Sequence, residues 1–488
     1  MSVLDAEHPP QRQAAHGGKE PRIDAEYRPP YTARMDNTAP RLGLAQKVGY
    51  GSWDFVGNLS YQVISIFLIY YFTDVFGIPP AAAGAIFLVS KLWDAVTDPA
   101  MGIVSDLTRS RWGKKRPYLL FGAVPLGLSI FLLFAGPDLL PQARIIWGYA
   151  TFILFSTAIT VVNIPYGALT AVLTRDSAER ASLSGYRMTF ALVGTLFAAS
   201  ATKVLAGLFG SELLGFRFVG ALYGVIAIAL SITTFLATRE NVPEEKPERL
   251  TVRRYLNVIF GNAPFLILAL STLLFMIAVN MLAAVVNYYF KYYLRSEGLV
   301  TFAFIGLFVV AALFIPLFVF LSRRRGKKLV ILLGMGVMAA VLLGLFFAGR
   351  SIPLTLALFV IGGFGMSTVF LSPWSMIPDT VEYSELKTGL RREGILYGGF
   401  FFCFKLGSAI SGWLTGIGLA AFGYQPNVEQ SARSLLGIRL FLTLVPLAFI
   451  LLGIAVVSFY PITASYHRSM LAQIETSRSN GAKPSARP

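Results

Sequence analysis

Twelve apolar runs of 18 or more residues punctuate this chain of 488 residues. Each is long enough to cross about 30 Å of hydrocarbon as a helix, and a helix is the only open structure that satisfies its own backbone polar groups in lipid. The runs lie near 50–76, 81–104, 118–135, 145–173, 186–207, 218–237, 265–290, 301–322, 329–348, 352–377, 395–421 and 436–460. They predict an all-α membrane protein with twelve transmembrane helices. A composition of 55% hydrophobic and 14% charged residues fits no soluble domain.

A formal charge of +16 would suit a nucleic-acid binder, but its placement argues for a membrane instead. Basic residues crowd into alternate loops, at "RSRWGKKR" (109–116), between Arg239 and Arg254, and at "RRRGKK" (323–328). The intervening loops hold only Arg144, Arg217, Lys291, Arg295, Arg350 and Arg433. The positive-inside rule then puts both termini and the 238–264 loop in the cytoplasm. Residues 1–45 mix charge with Pro and Gly and lack an apolar core, so they read as a disordered cytoplasmic tail, as does the "SRSNGAKPSARP" end. One cysteine, Cys403, allows no intramolecular disulfide, and His8, His16 and His467 all fall outside the runs. No cofactor is expected, and haem, zinc or a histidine relay within the membrane finds no support.

A faint repeat divides the chain. The first run ends "IYYFTDVFG" (69–77) and the seventh ends "NYYFKYYLR" (287–295). "RSRWGKKRP" follows the second run and "SRRRGKKLV" the eighth. Tyr71 and Tyr289 are 218 residues apart, and Gly113 and Gly326 are 213 apart. Aromatic belts and basic turns recur by chance, but two similar offsets favour a duplication: a six-helix half over 46–237, a linker over 238–264, a second half over 265–462 and a tail over 463–488. Two such halves would enclose a solute site between them.

The stretch "WDAVTDPAMG" (93–102) places Asp94 and Asp98 one helical turn apart, about 6 Å, on the second run. An acid near the bilayer centre costs about 2.5 to 3.5 kcal/mol. Either the two acids await a proton or a hard monovalent cation such as Na+, or a membrane-embedded Arg or Lys pairs with them. Pro99 frees the carbonyl of residue 95 as a further candidate ligand or a simple kink. On the first run Asp54 and Asn58 repeat the one-turn spacing. Asn58 could join the cation site if that helix packs beside the second, and Asp54 fits a gate or an interfacial position. Asn163 and Tyr166 flank Pro165 in "VVNIPYGAL" (161–169), where a buried amide needs either a hydroxylated solute or a neighbouring helix. Arg187, placed at the start of the fifth run, and Lys405, set in apolar surroundings in the eleventh, are the cations expected to face a cavity. Beyond the tenth run, Asp379, Glu382, Glu385, Lys387, Arg391, Arg392 and Glu393 fall in an expected cytoplasmic loop. There they form either a gate that bridges to "RSRWGKKR" or the loop between the fourth and fifth runs when that side is closed, or a solvated cluster whose pairs are worth under about 1 kcal/mol each.

Over about residues 45–465 the chain resembles the glycoside-pentoside-hexuronide:cation symporters of the major facilitator superfamily, the group of melibiose permease and the glucuronide carriers. The resemblance rests on "YYFTDVFG", "KLWDAVTDPAMGIVSDLTRSRWGKKRPYLLFG" (91–122), "VNIPYGAL", "DTVEYSELKTGLRREG" (379–394) and "FKLGSA" (404–409). It implies the major facilitator fold, two pseudo-symmetric six-helix bundles, and cotransport of a sugar derivative with Na+, H+ or Li+. It also implies cation ligands at Asp94 and Asp98 with Asn58 nearby, Na+ serving as the metal if sodium is coupled, and solute contacts at Asn58, Asn163, Arg187 and Lys405. Melibiose permease has acids where this chain has Asn58 and Asn163, and a tryptophan at Gly167, so the resemblance points to a pentoside or hexuronide rather than melibiose.

The expectation is a multi-pass, monomeric transporter of a bacterial inner membrane, with a small glycoside, a monovalent cation and the lipid bilayer as partners and no nucleic acid. A membrane-embedded enzyme would need a large extramembrane loop or a histidine cluster, and no loop between runs exceeds about 27 residues. The same fold moving a lysolipid, or a sensor that transports nothing, are the rival readings.

Overall fold

The computed structural model describes residues 42–174, 177–240, 257–388 and 393–479. The proposed tail before Arg41, the linker residues 241–256, Arg391, Arg392 and the end after Ser479 lie outside them. The described residues are helical, with no strand. We number the helices in chain order: α1 (Leu44–Val63, prolonged through Tyr71–Val75), α2 (Pro80–Leu107), α3 (Arg116–Phe134), α4 (Pro141–Leu173), α5 (Ser177–Ala206), α6 (Glu212–Ala237), α7 (Ala263–Tyr293), α8 (Val300–Arg325), α9 (Lys327–Phe347), α10 (Ile352–Thr388), α11 (Glu393–Ala421), α12 (Ala432–Ser458) and α13 (Ala464–Ser479).

Local signals set the helix starts. Pro80 and Pro141 occupy first turns, where a missing N–H costs nothing. Ser211 and Asn262 cap α6 and α7 by accepting from Leu214 and Phe265 N–H at 3.2 and 3.0 Å. Ten helices are long and apolar enough to cross a membrane on length and composition alone. The other two spans, α1 and α2, are diluted by Asp54, Asn58 and Asp74 and by Lys91, Asp94 and Asp98. Polarity that lowers hydropathy there is what a solute path requires.

Twelve helices form two six-helix bundles, and their contacts come in twins. In the first half α1 lies on α5 and α6, α2 on α4, and α3 on α4 and α6. In the second, α7 lies on α11 and α12, α8 on α10, and α9 on α10 and α12. Between halves α2 meets α11 as α8 meets α5, and α1 meets α7. This is the pattern of a pseudo-two-fold axis, with each contact repeated in mirror order.

The duplication reaches the backbone. Tyr71–Val75 and Tyr289–Tyr293 are both wider π-turns, at the offset of the aromatic motifs. Gly77 and Arg295 after them both adopt positive φ, +78° and 55°. Gly113 and Gly326, paired by the basic loops, do likewise at +106° and +90°. Their surroundings differ. A Cβ on Gly113 would lie 2.3 Å from Glu240, whose carboxylate accepts the N–H groups of Lys114, Lys115 and Arg116 at 2.8, 2.7 and 3.0 Å. A Cβ on Gly326 would find Ala464 at an easy 3.7 Å. Gly326→Ala should therefore cost only the strain of a backbone conformation that is essentially glycine's own, φ 90° and ψ 156°, about 1 to 3 kcal/mol. Gly113→Ala should cost more by displacing Glu240, visible as the larger drop in thermal unfolding midpoint.

Two expected boundaries move. α10 runs through Asp379, Glu382, Glu385 and Lys387, so these residues are helical and not in a loop. Their charge ends the apolar run, and Pro373 and Pro378 look like terminators, but Glu, Leu and Lys are strong helix formers and extend the helix past the apolar part. Likewise α5 begins at Ser177, so Arg187 is interior and not at the helix start. The C-terminal segment also contains a thirteenth helix, α13.

Candidate functional site

Asp54, Asp94 and Asp98 each meet a cation. Asp94 is buried on α2 and takes Lys91 of the preceding turn, Nζ to Oδ2 3.3 Å. Asp98 pairs closely with Lys405 of α11, and its Oδ1 accepts from Thr160 Oγ1 of α4 at 2.8 Å. Asp54 of α1 holds Arg187 of α5 through Nε at 2.7 Å and Nη2 at 3.3 Å. The two acids expected to share one site thus have separate partners, because Lys91 approaches from α2 itself and Lys405 from the opposite half. The Asp98–Lys405 pair is the one of the three that joins the halves.

Asp94 retains an unmet valence. Its Oδ1 is buried and accepts no hydrogen bond among the described residues, and the hydroxyl of Ser90, one turn earlier, is buried and unbonded too. An unbonded buried carboxylate oxygen costs free energy unless something arrives to bind it.

Asn58 does not lie on α2. α1 is drawn to α5 by close backbone approach: a Cβ on Gly194 would sit 2.5 Å from the Phe55 carbonyl, and one on Gly51 3.0 Å from Tyr186. The side chain of Asn58 donates to the Asp54 carbonyl at 2.9 Å within its own helix. The condition for Asn58 to join Asp94 and Asp98 by direct helix packing is not met.

Tyr166 is fully buried and donates its hydroxyl to the Asp54 carboxylate and to the Tyr50 carbonyl, the latter at 3.0 Å. Its ring lies 4.6 Å from Trp53 and beneath the Arg187 guanidinium at 4.9 Å. It is a wall that orients Asp54 and Arg187, and a solute would reach Arg187 rather than Tyr166. Asn163 is exposed on the same α4 face as Thr160, and a side chain starting at Gly167 or Gly185 would meet no heavy atom within 4 Å.

Among the described residues, the most extensive polar junction between halves lies at the aromatic ends of the two repeats. We call this the bare end, after its loops poor in basic residues. There Asp74 accepts from Lys291 at 3.1 Å, from Tyr424 at 2.5 Å and from Tyr292, while Asn427 donates to its carbonyl at 2.6 Å. Thr73 bonds Tyr288 at 2.7 Å and Lys291 bonds Tyr70 at 3.1 Å, two contacts exchanged by the pseudo-two-fold. Lys203 adds a bridge to Glu212 and Glu297, 2.6 Å each. The readable signal was an acid in one repeat, Asp74, beside the position where the other repeat carries Lys291.

At the opposite, basic end, Asp379 and Glu382 bond within their own half. Asp379 is buried and takes Lys327 at 2.6 Å, and Glu382 meets His467 at 2.6 Å. Their partners here are Lys327 of α9 and His467 of α13, and a bridge to "RSRWGKKR" is expected only when that side is closed. Glu385 is buried on α10, and Glu393 opens α11 on the surface.

Residues 49–464 match the family described as MFS/sugar transport protein. The chain belongs to the MFS/sugar transport family. It is a transporter of that kind and not an enzyme. The "Uncharacterized symporter YnaJ" of Bacillus subtilis is 34% identical to this transporter over 452 residues, covering 90% of this chain and 96% of the relative. The isoprimeverose transporter of Lactiplantibacillus pentosus is 31% identical over 441 residues, covering 88% and 91%. In fold, the transporter is similar to a bacterial homologue of the human lysosomal transporter Spinster, solved inward-facing and occupied, with a TM-score of 0.65 at 15% identity over 87% of this chain and 97% of that one.

Proposed function

We propose that the transporter is a symporter that takes up a small saccharide, a glycoside of the pentoside or hexuronide kind, together with a monovalent cation. The observation that carries this reading is the unbonded, buried Oδ1 of Asp94. A proton or Na+ landing there meets a carboxylate that lacks a full set of partners, with Ser90 Oγ as a second oxygen on the same face. The Lys405–Asp98 pair then reports the cation to the opposite half, because charge placed beside one acid of a turn changes the attraction of the next for its ammonium. Cation and solute raise each other's affinity by one common factor through closure of the halves.

Asn163, Arg187 and Lys405 line the solute path in this reading. Arg187 and Lys405 are each already neutralised by a carboxylate, which supports a neutral sugar as readily as an anionic one. The family description and the name of the isoprimeverose relative support a saccharide. With the basic loops facing the cytoplasm, the bonded bare end is external in this reading.

Uptake of a labelled glycoside panel into vesicles with imposed Na+ or H+ gradients tests this. Concentrative uptake of one glycoside under one of the two gradients is the expected result. Facilitated equilibration indifferent to both gradients, or uptake of lysolipid alone, overturns it.

A further inference from the structure

We propose that Asp379, Glu382 and His467 form a binding site for a divalent transition-metal ion, with Zn2+ as the type, which fastens the terminal helix α13 to α10. Because α10 stays helical through its charged end, Asp379 and Glu382 fall three residues apart on one face. α13 lays the imidazole of His467 against both: Nε2 is 2.6 Å from Glu382 Oε2 and 3.4 Å from Asp379 Oδ1. One potential ligand atom from each residue lies within 4.8 Å of the others. One imidazole and two carboxylates are a ligand set that Zn2+ and its neighbours accept, with room for a fourth oxygen.

A second observation points to the same place. The hydroxyl of Tyr460, a residue only 1% exposed, has no hydrogen-bond partner among the described residues. Burial foremost, then the charges of Asp379 and Glu382, push its pKa up, so both carboxylates act on it. This unpartnered hydroxyl is a candidate to donate to a carboxylate once that carboxylate is drawn onto the ion.

The site is preassembled. Met470 and Ile474 of α13 are buried against Leu386 of α10, which fixes His467 in place. Lys327 donates to the same Asp379 Oδ1 that faces His467, at 2.6 Å, and to the Ser375 carbonyl at 2.7 Å, so this acid is already positioned and an ion must take the other oxygen or displace the ammonium. Glu382 and His467 are partly exposed, which gives an ion a way in.

The probe is Zn2+ alone, titrated calorimetrically into the full-length transporter purified without a histidine tag, with Co2+ absorption as a second readout. The expected result is one ion per chain with a dissociation constant below about 10 µM. His467→Ala and Glu382→Gln should each weaken it at least about tenfold, while His8→Ala with His16→Ala changes nothing. Thermal unfolding of each variant without metal shows that it is folded, and Glu382→Gln keeps the side-chain shape should His467→Ala fail to fold. Wild-type binding no tighter than about 1 mM, or equal binding by the His467 and Glu382 variants, overturns the proposal.

Discussion

Asp94→Asn should abolish concentrative uptake while leaving exchange of solute across the membrane intact. A neutral amide neither takes up a proton nor offers Na+ the charge of a carboxylate, so in the proposed mechanism the step that couples the gradient to solute is lost. The proposed path past Asn163, Arg187 and Lys405 is left untouched. One charge moving down 100 mV supplies about 2.3 kcal/mol, or about a 50-fold accumulation ratio. The ratio should fall to about one in the variant, measured as steady-state label inside against outside. Counterflow with preloaded vesicles should continue, because it requires closure around solute but no net gradient. Two physical features make this effect large. The carboxylate is buried with one oxygen unbonded, and its partner Lys91 sits on the same helix, so losing it breaks no contact between halves. Normal accumulation by Asp94→Asn would remove this residue from coupling and leave Asp98 as the candidate.

Asp74→Asn should shift the transporter away from the conformation closed at the bare end. The Asp74 side chain is entirely shielded from solvent, and Lys291, Tyr292 and Tyr424 of the other half all turn to it. Removing one member of a buried ion pair costs about 3 to 5 kcal/mol, chiefly because the remaining charge is stranded. That cost falls only on the conformation in which the halves meet here. A loss of about 3 kcal/mol changes the ratio of conformers by more than about a hundredfold. Spin labels at Leu208 and Val428, exposed positions in the bare-end turns of the two halves, should report a new population at longer distance. Transport should slow as return to the closed form becomes rare. An unchanged distance distribution would mean that the π-turn seam, and not the charge, holds that end together.

Much of the fold could be read from hydropathy, because lipid demands helices and each must be long enough to span. The positions of Tyr71, Tyr289, Gly113 and Gly326 revealed the duplication because turns with unusual backbone geometry tolerate few residue types. The helix neighbours could not be read this way. Asn58 seemed to belong with Asp94 because α1 and α2 adjoin in sequence, whereas small residues at Gly51 and Gly194 take α1 to α5. The partners of the acids were equally hidden: Lys91 opens the "KLWDAVTDPAMG" motif without showing which acid it meets, Thr160 lies outside any motif, and only the fold brings Lys405 to Asp98. The α10 end was misplaced for a simpler reason. Hydropathy marks where lipid ends, not where a helix stops.

The seam at the bare end also bears on how the two halves came to differ. Asp74 and Tyr292 are equivalent positions that face each other, as are Tyr70 and Tyr288. A tandem of two first halves would bring aspartate against aspartate there, with threonine where the lysine now stands. At this seam the halves are therefore not interchangeable: the acid of one is matched to the phenol and ammonium of the other.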